Sequence, residues 1–303
     1  MLFTIGIPAY NKEDTLERAI LSCIHQDTDQ EFEIVIVDNA STDRTLEIAR
    51  TYADQYDNIK VFSNSTTVDL WTNHNLCMKY GSGSYILFCH TDDILYPNAL
   101  RILYDKLNKR CFPTRYVTWG HSMYNDYKPI LDLYHWSIES LIVGTDAYKL
   151  FIDGGLTPSG TCYSRASFLD QGGFIPDPYD ILPNSDSFSM LKLAFRGFAF
   201  EMVDQIYFLR VGSTSKYVNL KTKEQELEDI VHMKKLLHKH FSREQLRYIL
   251  ETSCERQFIY AFFISRFNKE LHNRIILRCI KLSTRNPWII RKEYFMKIFS
   301  PWP

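Results

Sequence analysis

Much is excluded by what this 303-residue chain lacks. Its seven cysteines (Cys23, Cys77, Cys89, Cys111, Cys162, Cys254, Cys279) are odd in number and scattered, and none stands in a Cys-x-x-Cys pair. That argues against a disulfide framework or a zinc knuckle and leaves most of them as small core residues in a reducing compartment. No uninterrupted apolar stretch approaches the roughly 18 to 20 residues a membrane span requires. The N-terminus enters Leu2-Phe3-Thr4-Ile5-Gly6-Ile7 without a basic and then apolar leader, so a cytoplasmic, non-spanning protein is expected. Excess charge is missing too: 35 Lys+Arg face 36 Asp+Glu, a net charge of −1, which disfavours a general nucleic-acid partner. No Gly-x-Gly-x-x-Gly follows the first apolar run, where Pro8-Ala9-Tyr10-Asn11 stands instead, and this argues against a hydride-transferring dinucleotide enzyme. Long repeats and low-complexity stretches are absent.

What is present suits a folded chain of one or two domains: 45% of residues are apolar and 15% aromatic, enough for a large core. Charge is unevenly placed. From Arg266 to the end, nine basic residues (Arg266, Lys269, Arg274, Arg278, Lys281, Arg285, Arg291, Lys292, Lys297) face only Glu270 and Glu293, a surplus of +7 against −8 for the rest. Interleaved with Phe267, Trp288, Tyr294, Phe295, Phe299 and Trp302, residues 266–303 fit either an anionic membrane surface or a helical packing region or partner interface.

The first hundred residues alternate β-type apolar runs with helix-type periodicity, the pattern of consecutive strand-helix units around a largely parallel sheet. Leu2 to Ile7 reads as a strand, and Asn11 as the cap of a helix carrying Leu16, Ala19, Ile20, Cys23 and Ile24 at three- and four-residue spacing. Phe32 to Val37 reads as the second strand, Ile59 to Phe62 as the third and Tyr85 to Cys89 as a buried fourth, preceded by a helix from about Trp71 to Tyr80. Tyr116 to Trp119 is a further strand, residues 154–173 are loop-rich, and Ser187 to Phe195 is a short helix closed by Arg196-Gly197. From Lys221 the pattern turns helical, which places a boundary near residue 218: an α/β domain at 1–218 and a helical, basic region at 219–303.

Open α/β sheets bind ligands beyond the carboxyl ends of their strands, so the polar loops there are the candidate site walls. Asp92-Asp93 follows the fourth strand, where adjacent carboxylates suit a hard divalent cation or, failing that, a solvated turn. Asp38, after the second strand, suits hydrogen bonds to a base or ribose, or an Asx-turn or helix cap. Tyr10 offers a face for stacking on a planar ring, although core packing is the default for a lone tyrosine.

In order along the chain stand Ile7-Pro8-Ala9-Tyr10-Asn11-Lys12-Glu13, Ser22-Cys23-Ile24-His25-Gln26, Val35-Ile36-Val37-Asp38-Asn39-Ala40-Ser41-Thr42-Asp43 and Gly83-Ser84-Tyr85-Ile86-Leu87-Phe88. Over roughly residues 2 to 215 the chain resembles the family 2 inverting glycosyltransferases of the GT-A fold, a Rossmann-like, mostly parallel sheet flanked by helices. The resemblance implies a nucleotide-sugar site, with UDP as the expected nucleotide. Pro8, Tyr10 and Asn11 would line the base, Asp38 would meet the base edge, and Asn75 would brace the nucleotide or stand as a helix-surface amide. Asp92 would meet the ribose and diphosphate, and Asp93 would carry Mn²⁺ or Mg²⁺. The family's first motif acid is replaced here, since the motif reads His90-Thr91-Asp92-Asp93.

The family's catalytic base is an Asp between a Gly-Gly-Phe turn and a helix ending in Arg-Gly. Counting back from Arg196-Gly197 places Asp186 there, after Gly172-Gly173-Phe174; Asp177 and Asp180 are the alternatives, and a helix cap is the structural role open to Asp186. Where the family often carries a His before Gly-Ser-x-Ser, Arg210 precedes Val211-Gly212-Ser213-Thr214-Ser215; it cannot ligate a metal but can clamp a diphosphate. The implied acceptor is a hydroxyl of a glycan or lipid-linked glycan in cell-surface polysaccharide synthesis, at the inner face of the membrane. The competing reading is a non-catalytic module that keeps the nucleotide-sugar cleft.

Overall fold

Strands buried on both faces read as continuous apolar runs, and three of these form the centre of the sheet: β1 (Phe3–Ala9), β2 (Phe32–Asp38) and β4 (Tyr85–Phe88). With β3 (Ile59–Ser63) they pair in parallel in the order β3-β2-β1-β4. The computed structural model describes residues 1–124, 141–144, 146–148, 151, 156–176, 185–210 and 236–252. Beyond β4 the sheet continues through β7 (Thr161–Ser164), β6 (Tyr116–Tyr124) and β8 (Ala199–Arg210) to β5 (Asp93–Leu95). Here β4-β7, β7-β6 and β8-β5 are antiparallel while β6-β8 is parallel.

Alternation along β1 assigns the two layers. Ile5 and Ile7 point into the cluster that holds Leu16, Ala19, Ile20 and Cys23 of α1 (Leu16–Ile24), Ala49 of α2 (Thr45–Ala53) and Leu100 and Leu103 of α4 (Ala99–Lys109). Gly6, between them, faces α3 (Leu70–Tyr80): a Cβ there would stand 3.2 Å from the Cys77 Cβ and 3.0 Å from the Ile86 Cδ1. Glycine thus lets α3 lie close on the sheet. On this side Phe88, Tyr163 and Phe174 join Phe168 of α5 (Arg165–Asp170) in one cluster of edge-on and tilted rings.

The expected first, second, third and fourth strands and the helices near 71–80 and 187–195 are found, the last as α6 (Ser185–Phe195). Residues 154–173, expected to be loop-rich, contain β7 and α5 among those described. The β7 strand, Thr-Cys-Tyr-Ser, is too short and polar to signal itself, yet all four residues are buried because it runs between β4 and β6. Asn11 does not cap α1; the cap position is Thr15, which makes no side-chain capping bond, and Asn11 is used elsewhere.

The chain divides into two compact units, residues 1–148 with 155–220, and residues 149–154 with 221–303. In the second, α7 (Arg243–Thr252) opens on a reciprocal cap: Gln245 N donates to Ser242 Oγ at 3.1 Å, and Ser242 N to Gln245 Oε1 at 2.9 Å. The apolar positions Leu227, Ile230 and Val231, the boundary near 218 and the basic tail 266–303 lie outside the described residues. Cys23, Cys77, Cys89 and Cys162 are buried as expected, whereas Cys111 is exposed; Cys254 and Cys279 also lie outside the described residues. No helix among the described residues is long and apolar enough to cross a membrane.

Two buried carboxylates tie the first unit together. Glu33 accepts from Lys60 Nζ at 2.7 Å and from the hydroxyls of Thr4 and Ser82, each at 2.8 Å. Glu201 accepts from Lys106 Nζ at 2.6 Å, Arg110 Nη2 at 2.7 Å and the Tyr116 hydroxyl at 2.6 Å. Burial alone would raise both carboxyls, but these donors outweigh it and hold each down at about 2. Because the folded value lies below the unfolded one, this stabilisation is present at neutral pH and is lost as pH falls from about 4.5 toward 2. Glu201→Gln is expected to cost about 1 to 3 kcal/mol at pH 7 and to flatten that acid limb, read as thermal midpoints between pH 2 and pH 7.

Candidate active site

Because β1, β2 and β4 are parallel and adjacent, with Ala9 beside Asp38 and Gly6 beside Phe88, their carboxyl ends open on the same edge of the sheet. The first two loops are stitched together there. Asn11 takes a left-handed backbone (φ 48), a conformation asparagine tolerates better than most residues. Its N–H donates to Ser41 Oγ at 3.0 Å, and its side-chain oxygen accepts from Thr42 N at 2.8 Å. Lys12 N donates to Thr45 Oγ1 at 2.7 Å and Glu13 N to Asp43 Oδ2 at 3.1 Å.

On this base Pro8 is half-buried and Tyr10 projects with 47% of its surface exposed, so core packing is not its role. Asp38 is fully buried; its carboxylate accepts from Ser63 Oγ at 2.9 Å and from Ser41 N at 3.3 Å. The backbone bond to Asp38 reaches three residues on, the spacing of a capping contact and not of an Asx-turn. Its neighbour Asn39 was not singled out from the sequence, yet it braces the loop after β3: Oδ1 accepts from Val68 N at 2.9 Å and Nδ2 donates to Val68 O at 2.8 Å.

At the end of β4, His90, Asp92 and Asp93 each offer one ligand atom, and the three atoms lie within 4.8 Å of one another. The turn is held by Asp93 N donating to His90 O at 3.0 Å and by His90 N donating to Ser159 Oγ at 3.0 Å. Asp93, read from the sequence as a loop residue, starts β5, where Arg210 of β8 is its ladder partner. That register brings the Arg210 backbone to the acidic motif; the described residues do not extend to its side chain or to residues 211–215. Lys12 Nζ approaches Asp92 Oδ2 at 3.4 Å, joining the first loop to the motif and adding a cation at its rim. The sequence showed Lys12 only as a letter in a motif, and nothing in its spacing announced this pair.

One side of α3 supports the motif. His74 is fully buried among the rings of Trp71, Phe88 and Phe174; its Nδ1 lies 2.7 Å from Leu70 O and its Nε2 lies 3.0 Å from His90 Nε2. Burial, reinforced by His90, pushes the His74 imidazole down to about 3, so it is neutral at physiological pH. Sequence reading placed His74 on a helix but gave no sign of its partner.

The next residue, Asn75, holds the Gly172-Gly173-Phe174 turn. Its Nδ2 donates to Phe174 O at 2.9 Å and its Oδ1 accepts from Phe174 N at 2.7 Å, so the amide expected at the nucleotide is committed to a loop. The same turn is fastened to α6, where Ser189 Oγ accepts from Ile175 N at 3.0 Å and Lys192 Nζ donates to Gly173 O. Asp186 lies in the first turn of α6, half-buried, its Oδ1 accepting from Ser187 N at 2.7 Å. It is inside the helix instead of capping it. Burial raises the Tyr163 phenol well above its ordinary value, and the charge of Asp186 adds to that. Asp177 and Asp180 lie outside the described residues. Asn75→Ala leaves two buried backbone groups of Phe174 without their partners, so a loss of about 1 to 3 kcal/mol in thermal or urea unfolding is expected.

Two carboxylates and an imidazole form a donor set that fits a divalent cation: the oxygens suit Mg²⁺ or Mn²⁺, and the ring nitrogen tilts the preference toward a transition-series ion. A family model described as Glycosyl transferase family 2 matches residues 4–154. An uncharacterized protein of Mycobacterium tuberculosis is 30% identical over 194 residues, covering 60% of this chain and 59% of that protein. The poly(ribitol-phosphate) beta-glucosyltransferase of Bacillus spizizenii is 34% identical over 102 residues, 33% of this chain and 16% of that enzyme. The chain thus spans less than two thirds of these relatives. Among solved structures, S. aureus TarS in complex with UDP-GlcNAc superposes with a TM-score of 0.64 at 17% identity, covering 95% of this chain and 92% of that one. The mannosyltransferase PcManGT of Pyrobaculum calidifontis, in complex with GDP-Man and Mn²⁺, does so at 0.56 and 15% identity, over 98% of this chain and 82% of that one.

Proposed function

We propose that this chain, which belongs to glycosyl transferase family 2 and has the GT-A fold, transfers a sugar with inversion from a UDP-linked donor to a hydroxyl of a glycan or lipid-linked glycan. The observation that carries the reading is the meeting of His90, Asp92 and Asp93 with Lys12 at the strand ends that also present Tyr10. Names of relatives that glycosylate poly(ribitol-phosphate), and a fold neighbour holding UDP-GlcNAc, support a cell-surface polymer as acceptor and UDP as nucleotide.

In the proposed reaction Tyr10 stacks on the base, and Asp38, buried and held by Ser41 and Ser63, fixes the loop against which the base edge lies. Asp186 takes the proton from the acceptor hydroxyl as that oxygen bonds to the anomeric carbon. On the opposite face the bond from that carbon to the diphosphate oxygen breaks, and its electron pair leaves with the nucleoside diphosphate. Lys12 sets positive charge toward that leaving group, and Arg210, at the end of β8, is proposed to add to it. A divalent cation held by Asp93 with Asp92 and His90 would supply further positive charge there. The basic, aromatic segment 266–303 would hold the enzyme at the anionic inner face of the membrane, near a lipid-linked acceptor.

The reading is tested by a thermal-shift panel of UDP, GDP, dTDP and CMP with and without Mn²⁺. Stabilisation by UDP, enhanced by Mn²⁺ and lost in Asp38→Ala, is the expected result. Equal indifference to all four nucleotides contradicts donor binding.

A further inference from the structure

The Ser22-Cys23-Ile24-His25-Gln26 run takes no part in the reaction described above, yet its polar side chains reach the strand that carries Asp93. β5 is three residues long and ends the sheet, with β8 on one side and, among the described residues, no strand on the other. So short an edge strand has little of its own to hold it in register. Its inner edge is set by β8: Ile94 lies opposite Leu209, and just past the strand Tyr96 N donates to Tyr207 O at 2.8 Å. Backbone groups of alternate residues point the other way. There α1 stands in for the missing strand. Leu95 N donates to Ser22 Oγ at 3.2 Å, and that hydroxyl passes its own hydrogen to Ala19 O at 2.7 Å.

Gln26, just past the end of α1, makes the larger contribution. Its Nε2 donates to Tyr96 O at 3.0 Å and to Ser22 O at 2.9 Å, and its Oε1 accepts from Leu100 N at 3.1 Å. The partners fix the orientation of this carboxamide, because the two carbonyls can only accept and the backbone N–H can only donate. Asp27 N adds a bond to Pro97 O at 2.6 Å. The end of α1 thus grips Leu95, Tyr96, Pro97 and Leu100 by their backbones.

We propose that Gln26 is a positioning residue for the acidic motif: with Ser22 it holds the outer edge of β5, and so fixes the place of the Asp93 carboxylate in the cation-binding set. The inference rests on the reading of this cluster as a divalent-cation site and deepens it. Asp93 stands two residues before Leu95 on an extended strand, a spacing that leaves little slack between the grip and the carboxylate. A cation such as Mg²⁺ demands near-octahedral placement of its oxygen ligands, so a shift of β5 weakens its binding without unfolding the sheet.

Gln26→Glu keeps the side chain's size and its acceptor toward Leu100 N, but loses both donated bonds and sets a carboxylate against two carbonyls. Mn²⁺ titrations followed by electron paramagnetic resonance, with and without UDP and well below each variant's thermal midpoint, report the site independently of turnover. Gln26→Glu is expected to bind Mn²⁺ about 10-fold more weakly, as when an outer-shell partner of a metal site is lost. Ser22→Ala is expected to bind it about 3-fold more weakly, and Ser22→Thr, which keeps the hydroxyl, with wild-type affinity. In the metal-free protein, amide hydrogen exchange is expected to quicken at Leu95 in Ser22→Ala and across residues 95–100 in Gln26→Glu, while the amides of β1 keep their protection. A folded Gln26→Glu with wild-type Mn²⁺ affinity, whatever its thermal midpoint, makes Gln26 a packing residue alone and overturns the inference while the cation site stands. Should Gln26→Glu fail to fold, equal Mn²⁺ affinity in Ser22→Ala and Ser22→Thr overturns it in the same way. A wild type that takes up no Mn²⁺ with or without UDP overturns both.

Discussion

Replacing Asp186 by asparagine is expected to lower the rate of sugar transfer by about 10²- to 10⁴-fold while leaving UDP binding intact. The acceptor hydroxyl must lose its proton as it attacks, and asparagine, close in shape, cannot take it. Because Asp186 sits in the first turn of α6, and α6 is fastened to the Gly172–Phe174 turn through Ser189 and Lys192, the substitution leaves the helix in place. A drop in turnover with unchanged thermal midpoint and unchanged nucleotide affinity assigns Asp186 as the base. Full activity in Asp186→Asn removes that assignment and turns attention to Asp177 and Asp180.

The second large effect is expected at Asp93. It is only 4% exposed, so its carboxylate is held in one place by β5 and the turn from His90. Asp93→Asn removes one negative group from the cluster that would hold a cation. A loss of about 10²- to 10³-fold in turnover is expected. Calorimetric titration with Mn²⁺ in the presence of UDP distinguishes this from an effect on folding: the variant is expected to lose the Mn²⁺ enhancement of UDP binding and retain the part of binding that needs no metal. An Asp93→Asn protein that still binds UDP more tightly with Mn²⁺ places the cation elsewhere.

The parallel half of the sheet was legible because strands covered on both faces must be apolar along their whole length, as Ile5 to Ile7, Ile34 to Val37 and Ile86 to Phe88 are. Loops at the carboxyl ends of such strands follow from the order of elements, which is why the sequence alone points to Tyr10, Asp38, Asp92 and Asp93. The antiparallel half was not legible. Thr161–Ser164 is buried by its neighbours β4 and β6, and its two aliphatic hydroxyls are satisfied within the core: Thr161 Oγ1 donates to Thr157 O at 2.7 Å and Ser164 Oγ to Tyr116 O at 2.9 Å. Burial of that kind is a property of the assembled sheet and leaves no apolar run to read.

Side-chain roles divided along the same line. Asn11 carried the residue type of a helix cap, but a left-handed backbone aims it at the second loop. Asn75 and His74, adjacent on α3, serve the Gly172–Phe174 turn and the acidic motif respectively, partners 99 and 16 residues away. Helical periodicity announces which face is covered; the identity of the group on the far side is set by tertiary packing. Lys12 is the same case, since its distance to Asp92 spans 80 residues of chain.

The account stands most directly on whether this chain turns over a donor. Release of UDP and GDP from their common sugar conjugates, followed with Mn²⁺ present for the intact chain and for Asp186→Asn, measures this. The account predicts release from UDP-sugars by the intact chain, at least about 10²-fold slower in the variant. Donor binding with release no faster than in Asp186→Asn would contradict it and make the chain a nucleotide-sugar-binding module.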